Sequence, residues 1–186
     1  MPAWNGWYHV TGNTYGTWLP GDPRGWRERG HRKHVGGDYH DPPHGVSTSL
    51  HQYSRDLLQQ QPVHLDRVQR EVAGKALVEM LVRRQIEVLA MAVDQSHFHT
   101  LGRFTDTNVR PIVGRAKKHA FFKLRDQGYS GKLWGHGADV VPITGRRHQV
   151  SVFNYIVRHA THGAWVWTFR EGIYWETDFS EEADDA

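Results

Sequence analysis

The chain has 186 residues, 14 of them histidine and none cysteine, which excludes disulfide frameworks, thiol nucleophiles and cysteine-ligated zinc and leaves His, Asp and Glu as protein ligands for any metal. Its length suits one domain with a proper core, and it shows neither a leader-like N-terminus nor an apolar run long enough to span a bilayer, so we expect a soluble intracellular protein. The formal net charge of +3 conceals an asymmetry: residues 176–186 hold Glu176, Asp178, Glu181, Glu182, Asp184 and Asp185 with no Lys or Arg, so the preceding body sets 23 basic residues against 14 acidic ones.

That body, near +9 with 12% aromatic residues across the chain, has the composition of a nucleic-acid binder, in which cations meet phosphates and rings stack on bases. The acidic end reads as a solvated, disordered tail, leaving residues 1–175 as one domain.

Trp7-Tyr8-His9-Val10-Thr11 has strand composition, with a continuation over residues 15–19. A loop-rich insertion then occupies about 20–64. It opens on Pro20-Gly21-Asp22-Pro23-Arg24-Gly25 and continues through Gly36-Gly37 and Pro42-Pro43. Within it Arg24, Trp26, Arg27, Arg29, Arg32 and Lys33 suit a backbone clamp with Trp26 stacking on a base; the alternative is a solvated loop. A short helix over 50–60 ends before Pro62. A stronger helical pattern follows over 65–85, with Leu65, Val68, Val72, Ala76 and Met80 on one face.

Two strands, 86–93 and 96–104, follow around Asp94-Gln95. In the second, alternation sends His97 and His99 to one face and Phe98 to the other, so the two imidazoles can grip one metal ion. The competing reading is a pair of ordinary histidines on an edge strand. Thr107 or Asn108 caps the next helix, with Pro111 in its first turn. Its inner face is Val109, Val113, Ala116, Ala120 and Leu124, and its outer face carries Arg115, Lys118, His119 and Phe122. Residues 132–143 read as loop and strand, with Trp134 and Val140-Val141 as their apolar content.

The last helix begins near Arg147. Val150, Phe153, Val157 and Ala160 form its expected core stripe. Tyr155 lies elsewhere, on a face with His148, Ser151, Val152, Arg158, His159 and His162, and Tyr155 and His159 stand one turn apart. If that face meets His97 and His99, three imidazoles and a phenol converge; otherwise the tyrosine merely snorkels on a surface helix. The element order predicts an α+β, ferredoxin-like (RRM-like) antiparallel sheet with helices mainly on one face.

The run Asp94-Gln95-Ser96-His97-Phe98-His99-Thr100-Leu101 resembles the histidine-hydrophobe-histidine (HUH) motif of single-tyrosine transposases of the insertion-sequence 200/605 kind. Val152-Phe153-Asn154-Tyr155-Ile156-Val157-Arg158-His159 is similar to their catalytic helix. The likeness is strongest to the REP-associated tyrosine transposase branch, and it covers residues 7–11 and roughly 86–165. The chain departs from the family in carrying His159 where Gln or Asn is usual, and Ala160-Thr161 where Asn-Pro often follows.

The resemblance implies a metal-dependent single-stranded DNA endonuclease and strand transferase of the prokaryotic cytoplasm, acting at the nucleoid as a monomer or homodimer on DNA with or without hairpins. It implies Tyr155 as nucleophile, giving a 5′-phosphotyrosine and a free 3′-hydroxyl, and Mg²⁺ or Mn²⁺ held by His97, His99 and His159. An imidazole cage favours manganese over magnesium. Arg115, Lys117, Lys118, Arg146, Arg147 and Arg158 are candidate phosphate contacts. Two other functions compete: a domesticated nucleic-acid-binding module without turnover, and a hydrolase using a metal-bound water.

Overall fold

The computed structural model describes residues 3–24, 48–105 and 108–172. The acidic tail, Thr107 and the stretch containing Trp26, Arg27, Arg29, Arg32 and Lys33 lie outside the described residues.

Among the described residues, five strands and four α-helices follow in the order β1 (Trp7–Asn13), α1 (Thr48–Asp56), α2 (Arg67–Arg83), β2 (Glu87–Val93), β3 (His97–Arg103), α3 (Val109–Arg125), β4 (Asp139–Pro142), α4 (Arg146–Arg158) and β5 (Trp165–Thr168). The strands form one antiparallel sheet in the order β4-β1-β3-β2-β5. The path β1-α2-β2-β3-α3-β4 on the order β4-β1-β3-β2 is the ferredoxin-like arrangement, to which β5 adds an outer strand beside β2.

Local chemistry explains the boundaries. Asp66 begins α2 through a reciprocal capping box with Gln69, satisfying two amides at the helix start. Asn108 occupies the N-cap of α3. In β2 the pairing shifts between Val88 and Ala90, and this bulge brings Leu89 to the same sheet face as Ala90.

Alternation divides the core in two. On one face Val10, Met91 and Phe98 pack with Leu77 and Leu81 of α2 and Val113, Ala120 and Leu124 of α3. On the other, Trp7, Ala90, Ala92 and Leu101 receive Val152 and Ile156 of α4. The expectation of helices mainly on one face therefore describes α2 and α3, while α4 covers the opposite face.

Several sequence expectations differ from the structure. Residues 15–19 form no strand; Thr14 makes an isolated bridge to Trp134. The first helix ends at Asp56 rather than Gln60. In α2 the buried apolar residues include Ala73, Ala76, Leu77, Val78 and Leu81, whereas Val68 is 64% exposed. Leu65 precedes the Asp66 N-cap, so counting helical phase from it misplaces the stripe.

In α4 the buried residues are Gln149, Val152 and Ile156, while Val150 is exposed and Ala160 lies in the 3-10 turn after the helix. The expected stripe is rotated away from the one that packs. Strand β5 lies beyond the elements that the sequence predicts: Gly163, at φ 81°, turns the chain back, and the β-prone Trp165-Val166-Trp167 follows. A β-carbon at Gly74 of α2 would lie 2.0 Å from the Trp165 ring, so this close approach requires glycine.

Candidate metal centre and adjoining tyrosine

The site grows from two periodicities. In β3, His97, His99 and Leu101 point to the α4 side, while Phe98 enters the opposite core. On α4, Tyr155 lies about 60° around the helix from Val152 and about 100° from Ile156. The two residues that press α4 onto Ala90, Ala92 and Leu101 thus set Tyr155 at the margin of the packed stripe, beside the β3 histidines. One turn later His159 caps the helix.

The side-chain ligand atoms of His97, His99 and His159 lie within 4.8 Å of one another. Three nitrogens each about 2.1 Å from one tetrahedral ion stand about 3.4 Å apart, so closure of up to about 1.4 Å would bring all three onto one ion. The donor set is all imidazole, which Mn²⁺ accepts more readily than Mg²⁺ does.

The imidazoles are also oriented. His99 Nδ1 lies 3.1 Å from His9 Nε2 and 3.0 Å from Thr11 Oγ1, which leaves Nε2 facing the Tyr155 hydroxyl at 3.4 Å. Ser96 Oγ lies 3.2 Å from His97 Nδ1. Asp94, in the β2–β3 turn, places Oδ2 4.0 Å from His159 Nδ1. Tyr155 and His159 meet edge to face at 4.9 Å between ring centroids.

Burial sets the protonation states. Desolvation, reinforced by His97, His9 and His159, pushes His99 down to about 2. Desolvation likewise lowers His97 and His159 against the opposing pull of Asp94, and lowers His9 against that of Asp139. All four rings are therefore neutral at pH 7, the state a metal ligand requires. Partial burial raises the Tyr155 phenol above its ordinary value, so its deprotonation needs assistance.

The other candidates are distributed unevenly. Arg24 donates Nε to Asp22 Oδ1 at 2.9 Å and Nη2 to Asp22 Oδ2 at 2.6 Å. Nη2 also reaches the Thr17 carbonyl, and the Arg24 charge contributes to lowering His97. Arg146, Arg147 and Arg158 are exposed on α4, on the same side of the sheet as the histidines.

Arg115 and Lys118 are exposed on α3, which covers the opposite face. Lys117 is only 8% exposed, and its Nζ donates to the carbonyls of Gly135 and Gly137 at 2.7 and 2.6 Å, so its ammonium is committed within the fold. His119, expected on the outer face, is half-buried with Nε2 3.2 Å from Glu79 Oε2.

Sequence reasoning assigned no role to His9, Thr11 or Asp94. The available signal was the alternation of His9 and Thr11 on β1, but using it required the register that sets Thr11 opposite His99.

No protein-family model and no curated protein matches the chain. Among solved structures, the chain is similar to a REP-associated tyrosine transposase bound to a REP hairpin, at a TM-score of 0.47 and 14% identity, covering 86% of this chain and 69% of that one.

Proposed function

We propose that this protein is a metal-dependent single-stranded DNA endonuclease and strand transferase that uses Tyr155 as its nucleophile. The observation that carries the reading is the position of the Tyr155 hydroxyl: the side chain is 44% exposed, yet its oxygen lies 3.4 Å from His99 Nε2, beside three imidazoles that can hold one cation. A tyrosine so placed is accessible to a polymer and close to a source of positive charge. The HUH-like run 94–101 and the tyrosine helix 152–159 supply the substrate class.

In this mechanism the Tyr155 oxygen attacks a phosphodiester phosphorus and the bond to the 3′ oxygen breaks. The products are a 5′-phosphotyrosine and a free 3′-hydroxyl, which can reverse the step. The phenolic proton leaves toward solvent on the exposed side of the ring, and the departing 3′ oxygen takes a proton from water to become the hydroxyl. His97, His99 and His159 would hold the divalent cation, which when bound supplies positive charge to the phosphate and the departing 3′ oxygen. His9 and Thr11 orient His99, and the exposed arginines of α4 attract the DNA backbone.

The test is incubation with single-stranded DNA and Mn²⁺ followed by denaturing electrophoresis. A protein–DNA adduct is expected, lost in Tyr155→Phe and in chelator. Cleavage without an adduct would favour hydrolysis by water, and DNA binding without cleavage would favour a module without turnover.

A further inference from the structure

The outward half of α4 leads from the tyrosine to a second feature. Around the helix from Tyr155, the exposed residues Ser151, Arg158, Arg147 and Asn154 follow in turn. Beyond them, on the flank opposite Tyr155, is a cavity of about 240 Å³ between α4, the β2 bulge and the 3-10 turn Phe169–Glu171.

Leu89, Val150, Phe153 and Phe169 supply its apolar walls, and Arg146, Gln149, Asn154 and Arg170 its polar groups, with Arg146 Nη1 donating to Gln149 Oε1. Phe169 is 51% exposed and Val150 42%. The rings of Phe153 and Phe169 meet at 64° with centroids 6.4 Å apart, and the Arg170 guanidinium stands 5.8 Å from the Phe169 centroid. No carboxylate is among the described lining residues.

An exposed ring and a half-buried one beside two guanidiniums and two amides match a particular ligand chemistry: a flat π-system that can hydrogen-bond and is joined to phosphate. The volume is below the roughly 300 Å³ at which drug-sized sites begin, a scale that suits one base. We propose that this cavity seats one unstacked base of a single-stranded DNA whose backbone crosses the outer face of α4 over Arg158 and Arg147. The inference rests on the reading of DNA as the substrate. An α-helix is about 10 Å across, so the seated base belongs to a nucleotide only a few positions from the phosphate at Tyr155.

The experiment uses full-length Tyr155→Phe protein with Mn²⁺, so that DNA binds without being consumed, and dT20 carrying one 5-iodouracil at successive positions. Irradiation and peptide mass spectrometry should map a cross-link to Phe169 or Phe153 from one or two adjacent positions. Adding Phe169→Leu, at an exposed site, should lower that cross-link and raise the Kd for dT20 about tenfold. Arg170→Gln should weaken dT20 binding and reduce its salt dependence.

Cross-links confined to other peptides, or an unchanged Kd in Phe169→Leu, would overturn the proposal. Competition by thymidine monophosphate at concentrations equal to dT20 would identify a free-nucleotide site and also overturn it. The two readings fail separately: cross-linking at Phe169 with no wild-type adduct defeats only the phosphotyrosine reading. An adduct-forming wild type whose cavity variants bind dT20 normally defeats only the cavity.

Discussion

Metal affinity should depend on two residues that need not touch the metal. His99 can offer Nε2 to an ion only if its proton resides on Nδ1, where His9 Nε2 and Thr11 Oγ1 stand ready at 3.1 and 3.0 Å. One N–H cannot fully satisfy two acceptors, so each partner partly substitutes for the other. Thr11→Val or His9→Phe alone should lose roughly one ordinary hydrogen bond, about 1 kcal/mol or about fivefold in Mn²⁺ affinity. The double variant leaves His99 without an acceptor for that proton, and its affinity should fall by about 10- to 100-fold. Titration calorimetry with Mn²⁺ at pH 7.5 measures all four proteins, and urea midpoints without metal check that the fold survives. A double variant that folds and binds Mn²⁺ as tightly as wild type would refute the claim that β1 sets the His99 tautomer.

Further expectations concern the fold that carries the site. Because His99 stays neutral in the native state down to about pH 2 while an unfolded histidine protonates near 6.5, the unfolded chain binds more protons between these values. The stability contribution is present above pH 6.5 and is lost as pH falls, at up to about 1.4 kcal/mol per pH unit. Urea midpoints of metal-free protein should therefore drop from pH 7 to 5, and a flat profile would contradict a neutral buried His99. Gly74→Ala would drive a methyl into the Trp165 ring and should cost about 1–3 kcal/mol, read by thermal melts; a variant as stable as wild type would show that β5 does not dock so closely. Lys117→Met removes donors from the Gly135 and Gly137 carbonyls and should destabilise by about 1–3 kcal/mol while sparing dT20 affinity. Weakened DNA binding at unchanged stability would instead return Lys117 to the phosphate-binding surface.

Much of the site was legible because it is written in short periodicities. Two-residue alternation places His97 and His99 on one face of β3, and one helical turn stacks Tyr155 with His159. The same alternation, with the order of strands and helices, was enough to anticipate a ferredoxin-like sheet. Helical phase was less legible. The apolar residues of α4 spread over nearly half of the helix circumference, and only the sheet beneath selects Val152 and Ile156 over Val150 and Val157. That choice sets Tyr155 beside the packed stripe rather than opposite it.

What tertiary structure alone decided is everything that depends on which strands become neighbours. Strand β1 and strand β3 are about 90 residues apart in sequence, yet their antiparallel register sets Thr11 opposite His99 and supplies the partners of its Nδ1. Sheet faces likewise sort the cations: α3 carries Arg115 and Lys118 on one side, and α4 carries Arg146, Arg147 and Arg158 on the other. A local pattern records which way a side chain points relative to its own backbone. The partner it meets is determined by long-range pairing, whose free energy comes from burying both faces of the sheet at once.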